Sequence, residues 1–171
     1  MKLIALIFAL LSSSIMAAPK PVDAVIVDVP TERRDWHSPI GNVKVTFSDG
    51  HTEMWTKEGK CIHPKTSSTG LVGWTRYSER NAKDEPVNST LRILVTESDI
   101  KDLAAGPYIE EWDFTDGDKS VVIKSRGRHG PANFVKYDIN SAKVIDSVKT
   151  YLPYNELPDW AKPFSDDKPG Q

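Results

Sequence analysis

The length, composition and charge of the 171-residue chain favour a single domain and exclude several classes of partner. Its 22 lysines and arginines stand against 24 aspartates and glutamates, a formal net charge of −2. This balance gives no electrostatic reason to bind nucleic acid or an anionic membrane. The only cysteine is Cys61, so an intramolecular disulfide is excluded and packing must hold the fold together.

The first 17 residues have the pattern of a cleavable export signal. Lys2 supplies a positive charge, an unbroken apolar run extends from Leu3 to Leu11, and small residues precede the end at Ala17. The run is shorter than the roughly 20 apolar residues that cross a bilayer. We therefore predict a signal peptide over residues 1–17, cleaved near Ala17, and a bacterial protein that is periplasmic or secreted. No later segment is apolar enough to span a membrane.

Short strands and turns follow one another along the rest of the chain. Alternating apolar residues predict a mostly buried strand over 23–29 and a half-buried strand through Val43, Val45 and Phe47. Asp49-Gly50 then predicts a hairpin. Further strands are predicted over 52–56, 71–77, 90–96, 108–114, 120–124, 134–137 and 143–148, with a short helical turn over 98–105 between two of them.

An internal similarity indicates duplication of a four-stranded unit. The four residues from Phe47 to Gly50 match those from Phe114 to Gly117, at a spacing of 67 residues. A single Asp-Gly match could arise by chance in a β protein. Other matches follow in the same order, including Lys57 with Lys124, so duplication is the better explanation.

The second unit resembles one blade of a β-propeller repeat. An aromatic-rich segment over 109–114 leads to an Asp-Gly turn at 116–119, an apolar strand over 120–123 and a Tyr-Asp turn with a last strand over 137–145. Arg128-His129-Gly130-Pro131 is similar to a His-Gly loop in uncharacterised exported bacterial proteins with such repeats. The resemblance covers about 40 residues. Its motifs are structural, so it implies a fold and no activity.

Propellers usually need about 4–8 blades to close, and this chain has room for two or three. We therefore predict an all-β fold in which two propeller-blade-like four-stranded units pack as a sandwich or small barrel. An alternative is that two chains complete a ring as a homodimer. The β domain is predicted over residues 18–152. Residues 153–171 form a tail rich in Pro and Asp, in which Leu157 and Trp160 are expected to dock on the body.

Two groups of side chains are candidate sites. His51, Cys61 and His63 lie close in sequence and carry donors that suit soft or borderline metals, although their spacing matches no familiar zinc or copper pattern. A buried, inert Cys61 is the simpler alternative.

The second group is a basic loop that could bind a carboxylate, phosphate or sulfated sugar. It consists of Lys124, Arg126, Arg128 and His129 on a glycine-containing segment between strands. The simpler alternative is a solvated loop whose arginines pair with nearby carboxylates.

No familiar catalytic motif occurs, neither a Gly-x-Ser-x-Gly elbow, a phosphate loop nor a His-Glu-x-x-His helix. We therefore predict an exported, non-catalytic binding module with no cofactor, whose partner is a protein or an envelope polymer; an inhibitor or immunity protein would fit this class. A small enzyme or anion-binding protein that uses the basic loop is one alternative. A metal-handling protein that uses His51, Cys61 and His63 is the other. The five tryptophans are further candidates for recognition; among them, Trp74 and Trp112 are expected in the core.

Overall fold

A computed structural model describes residues 17–29, 39–77, 79–80, 86–96, 98–106, 108–127, 129–149 and 151–167. This part of the chain is all-β, as predicted. Its strands are β1 (Pro21–Val27), β2 (Asn42–Phe47), β3 (Thr52–Met54), β4 (Cys61–Thr66), β5 (Val72–Arg76), β6 (Glu79–Arg80), β7 (Pro86–Val87), β8 (Thr90–Leu94), β9 (Ile100–Ala104), β10 (Tyr108–Thr115), β11 (Ser120–Arg126), β12 (Ala132–Asp138) and β13 (Lys143–Lys149). Two 3-10 turns follow, Tyr154–Glu156 and Lys162–Phe164.

The strands form three antiparallel sheets and a small β6-β7 ribbon. Sheet 1 has the order β1-β2-β3, sheet 2 the order β4-β5-β8-β9, and sheet 3 the order β10-β11-β12-β13. Sheet 3 has the four strands of the second predicted unit. The first predicted unit is divided, because its Asp49-Gly50 hairpin belongs to sheet 1 and its later strands belong to sheet 2. Residues 1–16, which contain most of the predicted signal peptide, lie outside the described part, as do Trp36 and Arg128. No helix in the described part is both long and apolar enough to cross a membrane.

Sheets 2 and 3 pack face to face around Trp112, which is fully buried as predicted. Its indole Nε1 donates a hydrogen bond to the carbonyl of His63 across 2.9 Å. Gly73 makes this contact close, because a Cβ built on it would lie 2.7 Å from the Trp112 ring. Most of the rest of this core consists of residues of β8 to β12: Leu91, Ile93, Leu103, Ile109, Val121, Ile123, Val135 and Tyr137.

A second core lies between sheets 1 and 2. Successive side chains of a strand point to opposite faces. On β5, Val72 and Trp74 therefore face Val43 and Val45 of sheet 1, while Gly73 faces sheet 3. Sheet 2 is thus covered on both faces. This explains why β5 is buried along most of its length and does not show a half-exposed pattern.

The C-terminal tail covers the outer face of sheet 3. Leu157 and Phe164 are buried against Phe134. Trp160 is partly buried, and its Nε1 donates to Asp146 Oδ2 across 3.1 Å. The predicted docking of Leu157 and Trp160 is therefore confirmed.

The Asp-Gly turns form hairpins as predicted, but they are not at equivalent positions. The turn at Asp49-Gly50 joins the second and third strands of sheet 1, whereas that at Asp116-Gly117 joins the first and second strands of sheet 3. Both glycines have positive φ, 89° and 63°, which glycine adopts without strain. The match thus follows from local turn geometry, and the first four-stranded unit begins at β4, after the predicted hairpin.

Two other expectations were wrong. The segment predicted as a helical turn over 98–105 contains β9, because Leu103 pairs with the buried Leu91 and extends sheet 2. The first strand was expected to be mostly buried. It is instead an edge strand, in which Ala24 is buried while Val22 and Val25 are exposed.

Candidate functional site

A cleft of about 890 Å³ lies between sheets 1 and 2. Its volume is in the range of roughly 300–1,000 Å³ that is usual for ligand pockets. The two sheets are joined by backbone hydrogen bonds where Gly41, next to β2, forms a β-bridge with Cys61 of β4. A Cβ on Gly41 would lie 2.2 Å from the Val27 carbonyl oxygen. The cleft opens toward the outer strands, β3 and β9.

Three aromatic rings form the wall on sheet 1. Phe47 stacks on His51 with centroids 4.2 Å apart and meets Trp55 edge-on at 6.1 Å. Trp55 in turn lies 6.5 Å from the buried Trp74. His51 and Trp55 share the inward face of the hairpin, because their backbones bond to Phe47 and Val43 directly across it. Trp55 is partly exposed and His51 is exposed, so both rings are accessible from the cleft.

Carboxylates on the same hairpin fix the orientation of these rings. Asp49 Oδ1 lies 2.5 Å from His51 Nδ1, and this hydrogen bond lowers the pKa of the Asp49 carboxyl. Glu53 accepts a hydrogen bond from Trp55 Nε1 across 3.0 Å and lies 3.6 Å from His51 Nε2. The rings are therefore held in place before any ligand arrives, which reduces the entropy lost on binding.

The wall on sheet 2 combines apolar and paired charged side chains. Arg92 donates two hydrogen bonds to Asp102, at 2.7 and 2.6 Å. This pairing lowers the pKa of Asp102 and raises that of Arg92. Leu94 and Ile100 lie beside the pair, and 47 % of Ile100 is exposed.

One end of the cleft is cationic. Lys57 and Lys60 line it, both are exposed, and neither has an ion pair among the described residues. The third cation there, Arg76, is 3.3 Å from Glu58. The two lysines therefore leave uncompensated positive charge at the C-terminal end of β3.

The other end of the cleft is lined by the start of β1 and the chain that precedes it. Ala18, Pro19 and Pro21 line the cleft there. The backbone of Lys20 accepts a hydrogen bond from Ser48 N across 2.8 Å. Its Nζ donates to the Ser68 carbonyl across 3.0 Å, so Lys20 links the hairpin of sheet 1 to a turn of sheet 2.

The structure separates the three predicted metal ligands. His51 and Cys61 both line the cleft, but His51 is hydrogen-bonded to Asp49 and Cys61 is buried, with its Sγ 3.5 Å from Thr56 Oγ1. Burial raises the pKa of the Cys61 thiol. His63 lies in a β4 bulge with φ of 50°, and burial lowers its pKa. No group of three metal-ligating side chains occurs among the described residues.

Lys124 and Arg126 of the predicted anion-binding loop lie on strand β11, and both are paired with carboxylates of the chain. Arg126 lies 2.5 Å from Glu110 Oε1 and 2.8 Å from Asp166 Oδ2. Lys124 is nearly buried and donates to Asp166, with Glu110 3.8 Å away. His129 is exposed, and Arg128 lies outside the described residues. Lys124 and Arg126 thus fit the simpler alternative of internal pairing with carboxylates.

Sequence reasoning did not identify the cleft as a site. Phe47 and Trp55 flank the Asp49-Gly50 turn at positions that alternation assigns to one face, which was the available signal. Arg92 and Ile100 face this wall only because of the relative position of the two sheets, which no local pattern encodes.

Comparisons with protein-family models, curated proteins and solved structures give no match for this chain. The functional argument therefore rests on the residues of the cleft.

Proposed function

We propose that this protein is an exported, non-catalytic binding module, and that the cleft between sheets 1 and 2 holds its partner, a protein or an envelope polymer. The observation that carries the proposal is the aromatic wall, with Trp55 and His51 accessible and fixed by Glu53 and Asp49. Aromatic rings held in this way offer a large contact area at low entropic cost.

Binding explains the charged groups of the cleft better than catalysis does. Asp102 is held by Arg92, and this pairing lowers the pKa of the Asp102 carboxyl, which disfavours the protonated form that a general acid needs. Paired charges beside apolar surface are typical of the polar rim of a binding site. The export signal predicted over residues 1–17 places such a partner outside the cytoplasm.

The test compares two tryptophan variants. Soluble peptidoglycan glycan fragments, freed of their stem peptides, and a pool of random-sequence peptides are titrated into the wild-type chain, Trp55→Ala and Trp160→Ala, with binding measured by calorimetry. Trp160 is the matched control, because it lies on the far side of sheet 3 against Asp146. We expect one probe class to bind the wild type and Trp160→Ala alike, and Trp55→Ala about tenfold or more weakly, as for an aromatic hot spot. The proposal fails if neither probe binds the wild type, or if the two variants bind equally.

A further inference from the structure

We infer that the occupant of the cleft is an extended peptide with an acidic group, which adds as a fourth strand to the outer edge of β3. The inference rests on the proposed function and specifies its partner. It follows from three features of the cleft: the strand count of sheet 1, the free edge of β3 and the lysines at one end.

Sheet 1 is one strand shorter than the sheet it faces. It has three strands against the four of sheet 2, and no residue of the outermost strand of sheet 2, β9, belongs to the core between the two sheets. The two faces of β9 show the consequence. Leu103 packs against sheet 3 and is 1 % exposed, whereas Ile100 on the opposite face is 47 % exposed. A fourth strand beside β3 would cover Ile100.

The outer edge of β3 offers the hydrogen bonds that such a strand needs. His51 and Trp55 bond through their backbones to β2, so the intervening Thr52 and Met54 direct their backbone groups away from it. No strand among the described residues lies beyond β3. Pairing of an extended peptide with a free edge is a recurring mode of peptide recognition.

Charge at the end of this edge indicates the chemistry of the peptide. Lys57 and Lys60 follow β3, are exposed and lack ion pairs among the described residues. An acidic side chain or a terminal carboxylate on the added strand would meet them. Its alternate apolar side chains would point into the cleft, toward Trp55 and Ile100. A neutral glycan would use the aromatic wall but neither the backbone edge nor the lysines, so a peptide accounts for more of the site.

The test begins with selection of a phage-displayed library of random heptapeptides on the immobilised wild-type chain. The peptide that is most enriched is synthesised, and its dissociation constant is measured for the wild type and three variants. Met54→Pro removes an outward N–H without removing a bond to β2. Lys57→Glu/Lys60→Glu reverses the charge at the cleft end. Lys143→Glu/Lys149→Glu makes the same charge change on exposed β13, far from the cleft, and is the control.

We expect the selected peptides to alternate apolar residues and to carry an acidic group. Met54→Pro and Lys57→Glu/Lys60→Glu should each bind the synthetic peptide about tenfold more weakly than the wild type. The control pair should bind like the wild type. Since Met54→Pro could perturb folding, the lysine pair, which changes only exposed side chains, decides the outcome when that variant has an altered circular dichroism spectrum.

Two results would overturn the inference. One is a selection with no enrichment over the bare support, and the other is a peptide that binds both lysine pairs equally. The proposed function has a separate outcome. If the peptide-free peptidoglycan glycan fragments bind the wild type and lose affinity in Trp55→Ala while no peptide binds, the cleft is a binding site for a glycan and the peptide inference is wrong. If neither probe binds, both proposals are wrong.

Discussion

Lys124 shows how single residues tie the C-terminal tail to sheet 3. Its side chain is 6 % exposed, and its ammonium group donates a hydrogen bond to Asp166 in the tail. A cation that is nearly buried is costly to leave unpaired. Asp166 also bonds to Arg126. The pKa of Asp166 is therefore held below its ordinary value of 3.8, with the hydrogen bond from Lys124 as the largest favourable cause.

This pairing predicts a loss of stability in acid. A carboxyl whose folded-state pKa is depressed stabilises the fold above its ordinary pKa. That stability is lost as pH falls through the ordinary value toward the folded one. The contribution of Asp166 to the urea midpoint should be nearly constant between pH 7 and 5 and should fall below about pH 4. Asp166→Asn should weaken this dependence, whereas Asp167→Asn, at an exposed neighbouring carboxylate, should keep it. An equal acid dependence in the two variants would contradict this role of Asp166.

Some contacts of single residues could be predicted from the sequence, whereas others depend on the folded tail. Burial of Cys61 was anticipated because an unpaired thiol behaves as a small apolar group. The pairing of Arg126 with carboxylates was the simpler expectation, and it is confirmed for Glu110 and Asp166. That Asp166 is a partner could not be predicted, since it lies 40 residues from Arg126 and meets it only after the tail has docked.

The contact between β5 and β10 determines how closely sheets 2 and 3 pack. Gly73 lies under the ring of Trp112, and an added Cβ would be 2.7 Å from that ring and 3.2 Å from the Arg92 carbonyl oxygen. The Arg92 carbonyl cannot move away easily, because Arg92 belongs to β8, which pairs with β5 along its length. Gly73 therefore has a packing role that a larger residue cannot fill.

We predict that Gly73→Ala destabilises the protein by about 1–3 kcal/mol, the usual cost of overpacking a core. Gly127→Ala is the matched control, because a Cβ there meets no atom within 4 Å. Urea unfolding followed by tryptophan fluorescence measures both. Equal midpoints for the two variants would show that sheets 2 and 3 are not packed as described.

Among the elements, those fixed by local signals were predicted best. The hairpins at Asp49-Gly50 and Asp116-Gly117 were correct because a turn with positive φ depends on its own residues. The strand β9 was missed because Ser98 and Gly106 resemble helix boundaries, whereas its pairing with β8 is a tertiary interaction. The same limit explains the first strand, whose exposure follows from its position at the edge of a sheet.

The cleft arises from the arrangement of the whole molecule. Sheets 1, 2 and 3 stack in chain order, and the tail covers the outer face of sheet 3. Sheets 2 and 3 match in strand number and bury their shared face, while sheet 1 falls one strand short. The all-β class and the second four-stranded unit, sheet 3, could be predicted from strand spacing. The difference in strand number between sheets 1 and 2 could not be predicted, because it depends on which strands join which sheet.

The most direct test of the central claim maps where a ligand binds. The peptide selected from the random library, or the peptidoglycan fragment if only that binds, is added to the ¹⁵N-labelled chain, and changes in backbone amide shifts are recorded. If the cleft is the site, the largest changes should cluster at residues 52–60 and 94–102, with no cluster at 124–129. Changes centred on residues 124–129, at the end of β11 and just beyond it, with the residues around Trp55 unaffected, would contradict the claim.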